Sequence, residues 1–173
     1  MTFLRHAPRH VHQTVADYAT AQLTALGWLT AGSVPFGLDP VTIIDVRPFV
    51  GSKLDNHIVP GVVTVTLGNE AAPIDEELGG PLASQDYPMF VDVFMELDSA
   101  ALALAADLKD AFLGRHATSK RFIPVIDQAT ETPVPGWQIE FDDVEREAPE
   151  HPFALAWHSV HVTAHCYFQE VRY

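Results

Sequence analysis

The chain has 173 residues, enough for one domain, and 47% of them are hydrophobic, ample for a core at this length. Ten Lys and Arg against 23 Asp and Glu leave a formal net charge of −13. That balance argues against a sequence-reading nucleic-acid binder, which needs a basic footprint, and against adsorption to an anionic membrane surface. A single cysteine, Cys166, excludes an intramolecular disulfide. No signal-peptide pattern opens the sequence, and the longest apolar run, near Ala100–Ala106, is too short to span a bilayer. These features lead us to expect synthesis and folding in a cytoplasm.

Residues 1–10 carry Arg5, His6, Arg9 and His10 and read as an exposed arm. A helix is predicted from about Val11 to Leu26, with Val11, Val15, Tyr18, Ala19, Leu23 and Leu26 as its apolar stripe and Gly27 as its stop. Trp28 and Leu29 then tuck under its end. Thr30–Pro40, with two glycines and two prolines, reads as a connection. Val41–Pro48 and Val62–Gly68 read as strands, the second with Val63, Val65 and Leu67 on one face. From Asn69 to Asp86 periodicity is lost, and a long acidic loop is expected.

Tyr87–Gly114 is the most regular stretch. Met89, Val91, Val93, Met95 and Leu97 alternate with Phe90, Asp92, Phe94, Glu96 and Asp98, as in a strand with one buried face. The period then changes: Leu104, Leu108, Ala111 and Phe112 mark a helix, with Asp98 or Ser99 available to cap it and Gly114 to end it. Arg115–Arg121 is polar and basic. Phe122–Asp127 is an optional short strand that Pro124 confines to an edge, and Thr130–Gly136 reads as a turn. Trp137–Val144 alternates, Glu145–Pro152 reads as a charged turn, and Phe153–Val171 reads as a long strand. The order helix, strand, strand, strand, helix, strand, strand predicts an α+β domain: a mostly antiparallel sheet of four to five strands with two helices packed on it.

No phosphate-binding glycine loop, dinucleotide fingerprint or nucleophile elbow occurs. In the last strand His158 points opposite to His161 and His165, and the latter two lie roughly 13 Å apart at strand rise, too far to share a zinc ion within one strand. His6, His10 and His12 lack a carboxylate or Cys to complete a site. All of these histidines therefore read as structural or solvent-facing, and Cys166, with Val162, Ala164 and Phe168 on its face, as a core residue. Asp142–Asp143 and Asp75–Glu76–Glu77 lack calcium-loop spacing and read as solvated acids. No catalytic residue, metal or cofactor is expected.

Charge distribution carries more information. Leu54–Leu108 contains no Lys or Arg, yet holds Asp55, Glu70, Asp75, Glu76, Glu77, Asp86, Asp92, Glu96, Asp98 and Asp107. Such a field fits a solvated edge, repulsion of a passing anion, or a surface for a basic partner. Phe90 and Phe94 beside acids of the same face favour an interface over plain solvent.

Several segments together resemble the tail-terminator family of long-tailed bacteriophages, the lambda-type tail-completion proteins. They are the helix V-H-Q-T-V-A-D-Y-A-T-A-Q-L, the strand V-V-T-V-T-L-G, the run F-V-D-V-F-M-E-L-D-S-A-A-L-A-L-A-A-D-L-K-D-A-F and the closing W-H-S-V-H-V-T-A-H-C-Y-F. The acidic loop at 69–86 and the turn near Pro133–Pro135 depart from a minimal member. The resemblance implies a virion structural protein at the head-proximal end of the tail: a hexameric ring that caps the tail tube, ends its polymerisation and meets the head connector. DNA would pass through without sequence-specific binding. On that reading Glu70, Asp75, Glu76, Glu77, Asp92, Glu96 and Asp98 belong to the lumen or an interface, and Arg5, Arg9, Arg115, Lys120 and Arg121 contact the next subunit. Competing readings are another neck-completion protein, or a small α+β enzyme or ligand-binding module drawing on the histidine-rich last strand.

Overall fold

In a computed structural model of the chain, residues 7–38, 41–46, 61–68, 75–76, 82–147 and 156–169 are described. They form two helices, α1 (Ala7–Ala25) and α2 (Asp98–Phe112). The strands are β1 (Phe36–Leu38), β2 (Val41–Asp45), β3 (Gly61–Leu67), β4 (Asp75–Glu76), β5 (Leu82–Met95), β6 (Phe122–Asp127), β7 (Thr132–Glu147) and β8 (Ala156–Gln169). All pair antiparallel in one sheet of order β1-β2-β3-β5-β8-β7-β6, with β4 hanging off β5.

This corrects the expected fold class. Seven strands, not four to five, run along the main path, the sheet curls into a half-barrel, and about half of the described residues are strand. The discrepancy has local causes. β1 is three residues long, too short to show alternation, and lies in the Gly- and Pro-rich stretch read as a connection. β5 begins at Leu82, inside the stretch read as a loop, and β7 begins at Thr132, inside the stretch read as a turn, so Pro133 and Pro135 are strand residues. Register along β5 and β8 runs unbroken from Leu82↔Gln169 to Met95↔Ala156, and that long pairing, rather than local propensity, sets where β5 starts.

Both helices cover one face of the sheet. Val63 and Val65 of β3, Met89, Val91, Val93 and Met95 of β5, and Val160, Val162, Ala164 and Cys166 of β8 are fully buried there. Ile139 and Phe141 of β7 and Val125 of β6 extend the same floor. Val11, Val15, Ala19 and Leu23 of α1 and Leu104, Leu108 and Phe112 of α2 close it from above. Each Val, Leu, Ile, Met or Phe among them contributes about 1.5–3 kcal/mol on leaving water. Leu97, expected on this face, lies instead at the start of α2 and is 51% exposed.

The helix ends behave as their residues dictate. Gly27 adopts φ 84°, which lets Trp28 N–H reach the Leu23 carbonyl (2.8 Å) while its own N–H reaches Thr24 (3.1 Å). Trp28 and Leu29 are thereby buried. Gly114, at φ 70°, closes α2 the same way, with Arg115 N–H on the Asp110 carbonyl at 2.9 Å. The start of α1 differs from expectation: it begins at Ala7, with Ala7 and His10 buried, so residues 7–10 are helix rather than exposed arm, and residues 1–6 lie outside the described residues.

Polar side chains fix the helical layer. Tyr18 Oη donates to the Ala111 carbonyl (2.9 Å) and accepts from Lys120 N–H (2.9 Å), pinning α1 to the end of α2. Thr14 Oγ1 accepts from Ile126 N–H, and His10 Nδ1 accepts from Gln128 N–H, both at the β6 edge. Buried His12 donates from Nε2 to the Val65 carbonyl at 2.8 Å. His10 and His12 thus make buried structural bonds, and His10 is not the exposed arm residue that was expected.

Candidate functional site: the uncovered face of the sheet

Period-two alternation gives each strand a second face, and among the described residues no helix covers it. Pairing register lays its residues out in rows across β7, β8 and β5. Glu140, His165 and Asp86 form one row, and Asp142, Thr163 and Pro88 the next. Past an irregularity at Asp142–Glu145, where Asp143 takes φ 46°, come Glu145, His161 and Phe90. Glu147, Ser159 and Asp92 follow, and Trp157 and Phe94 end the series.

Neighbouring side chains are in contact. Trp157 stacks on Phe94 with ring centroids 5.8 Å apart and donates its indole N–H to Asp92 Oδ1 at 3.0 Å. Phe90 meets His161 edge-on at 4.8 Å, and His161 Nε2 lies 3.8 Å from Glu147. His165 hydrogen-bonds Asp86 through Nδ1 and abuts Tyr167, whose hydroxyl donates to Glu140 at 3.0 Å. Phe90 (37%) and Tyr167 (36%) are more exposed than large aromatic residues inside a core. Arg121 is the cation here, and it is shared between Glu140 (3.3 Å) and Asp142 (3.7 Å). The face is an array of half-exposed rings among carboxylates, held in register by sheet hydrogen bonds.

The sequence-predicted residues separate into groups. Phe90, Phe94 and Asp92 lie on this face. Glu96 is exposed in the bend after β5. Asp98 does not join them: it opens α2, and its carboxylate accepts from Nε2 of His158, a buried residue of the helix-covered face, at 2.9 Å. Neither Asp98 nor Ser99 caps the helix, because Leu97 holds the cap position without a side-chain bond. His158 Nδ1 is buried without a hydrogen-bond partner. Asp75 and Glu76 pair with Ser84 and Ala83 as β4, while Glu70, Glu77 and Arg5 lie outside the described residues. Arg9 is exposed on α1, Arg115 pairs with Asp110 at 3.1 Å, and Lys120 is exposed beside it.

Sequence reasoning placed His158 opposite to His161 and His165 but did not join β8 to β5 and β7. Trp157, Tyr167, Glu140, Asp142, Glu145 and Glu147 were therefore missed as members of the face. The alternation of Trp157, Ser159, His161, Thr163, His165 and Tyr167 was the available signal.

Elsewhere the chemistry is sparse. Burial pushes the Cys166 thiol and the Tyr87 hydroxyl well up, so both stay protonated and inert. A groove of about 480 Å3 between α1 and residues 32–35 holds Asp17. Desolvation raises that carboxyl first, a hydrogen bond from Gln128 opposes the rise, and the charge of Glu131 adds to it. Among the described residues no three His, Cys, Asp or Glu side chains converge as a metal site, and no helix is long and apolar enough to cross a membrane. Compared with family models, with characterised proteins and with solved structures, the chain matches none.

Proposed function

We propose that this protein is a ring-forming tail terminator of a long-tailed phage. In this role it caps the tail tube, ends tube growth and forms the joint to the head connector, with DNA passing through the ring. The observation that carries this reading is the uncovered acidic and aromatic face of β5, β8 and β7. A chain that spends both helices on one side of its sheet and leaves rings and carboxylates on the other is suited to association rather than to turnover. The resemblance of the α1, β3, β5–α2 and β8 segments to tail-completion proteins supplies the kind of association.

Arg115, at the end of α2, and Lys120 are exposed and suit contacts between protomers that run head to tail and close into a ring, leaving the acidic face for another partner. Negative charge in the same half of the chain keeps DNA from adhering as it passes.

The test is particle assembly with Asp92→Lys/Glu96→Lys. Glu96 is exposed and Asp92 is tied only at the surface, so the double variant is expected to fold and to leave tails overlong or unjoined to heads. Fully infectious particles from a folded double variant would count against the assignment. Tubes of normal length that fail only at head joining would move it to another neck protein.

A further inference from the structure

We infer that the uncovered face of β5 and β8 is a docking surface for a basic segment of another protein, gripping Arg and Lys side chains between its rings and carboxylates. Three observations converge. First, the aromatic residues there are not core that happens to show. Phe94 and Trp157, and Phe90 and His161, are cross-strand partners at the centre of the sheet, on the side away from both helices. Second, carboxylates alternate with the rings along the strands at two-residue steps, so a cation over a ring sits within reach of an acid in the next row. Asp92 illustrates the geometry: one oxygen takes the Trp157 indole N–H, which fixes that ring. Third, Arg121 is held at the margin of the face by Glu140 and Asp142, away from the rows of Phe90 and Phe94.

The occupant follows from charge. A second copy carries the same net charge of −13, so long-range repulsion works against self-docking, whereas a basic protein is drawn in from a distance. A channel wall for DNA needs the acids but has no use for an ordered shelf of rings. Arginine suits the shelf better than lysine, because its flat guanidinium stacks on a ring while its edge meets a carboxylate. This assignment stands independently of the tail-terminator reading.

The experiment titrates the full chain, isotope-labelled for NMR, with three twelve-residue peptides of alternating sequence: Arg-Ala, Lys-Ala and Glu-Ala. The Arg-Ala peptide is expected to shift the Trp157 indole N–H and the amides of β5 and β8 and to bind more tightly than Lys-Ala, and Glu-Ala to shift nothing. Phe90→Ser should weaken Arg-Ala binding roughly threefold to fivefold, the value of one exposed cation–ring contact. Asp92→Asn, which keeps an oxygen for the indole, together with Glu147→Gln should weaken it further. Asp17→Asn, on the helical side, should leave it unchanged. Equal losses from Asp17→Asn and from the face variants would mean that binding reads net charge alone and would overturn the proposal. So would an unmoved Trp157 indole, or broadening of the face on concentrating the protein without peptide, which would make the occupant a second copy. Because the titration uses the isolated protein, its failure leaves tail completion to be judged separately by the particle assay.

Discussion

The two faces of β5 and β8 are built from the same fourteen paired positions, yet they have opposite chemistry. On the helix-covered side Met89, Val91, Val93, Val160, Val162 and Ala164 are closed off completely. On the other side Asp86, Phe90, Asp92, Phe94, Trp157, His161 and His165 take the alternate places, half open to water. A strand obeys one backbone geometry and cannot bend its two faces to different purposes, so the division of labour has to be written residue by residue into the alternation. The covered face carries stability, and the open face is free to carry function.

That contrast is broken most severely from the covered side. Phe112 packs on Phe141 at 5.0 Å and beside Tyr18 at 6.0 Å and is fully buried. Phe112→Ala should cost about 3–5 kcal/mol in denaturant unfolding, through lost burial and the cavity left behind. A loss below about 1 kcal/mol would mean that the α2–β7 packing is not as described. Tyr18→Phe keeps the ring but removes the hydroxyl bridging Ala111 and Lys120, and should cost about 1–3 kcal/mol.

Alkali tests the same face without mutation. Cys166 and Tyr87, ordinarily near 9.0 and 10.0, are both raised by burial, with the Cys166 charge adding for Tyr87. A raised acid binds its proton more tightly when folded. Its contribution is therefore whole below the unfolded pKa and is lost as pH climbs toward the folded one. Stability should be level through pH 8 and fall above about pH 9, by up to about 1.4 kcal/mol per pH unit for each group titrating in the unfolded chain. Cys166→Ala should delay the onset of that fall toward pH 10, and an unchanged onset would remove Cys166 from the explanation. Asp98→Ala, which frees His158 and takes an acid from the first turn of α2, should cost only about 1 kcal/mol. Phe90→Ser, on the open face, should change stability least, by under about 1 kcal/mol.

Much of this division was legible in the sequence. The odd residues from Met89 to Met95 were assigned to the core and Phe90, Asp92 and Phe94 to the surface, because period two over that length has one reading. Gly27 and Gly114 marked their helix ends, since only a left-handed residue completes those bonds cheaply. What escaped was whatever long-range pairing decides. Phe36–Leu38 is strand because Val41–Ile43 lies beside it, and Ser84–Asp86 is strand because His165–Tyr167 does. The open face needed residues of three strands, paired across 12 to 79 positions of sequence, to be placed side by side, so Glu140 and Trp157 could not be joined to Asp92 by pattern alone. Leu97 and Asp98 were misplaced for a related reason: alternation gives no sign of the residue at which the chain leaves the sheet for α2.

The central claim is that the open face is a contact surface. Cryo-microscopy of assembled tails tests it most directly at the head-proximal end. A ring of this protein is expected there, with Phe90, Phe94 and Trp157 buried against basic side chains of a neighbouring protein. A ring in which those three rings front the lumen or bulk solvent, or tails with no copy of the chain at that position, would contradict it.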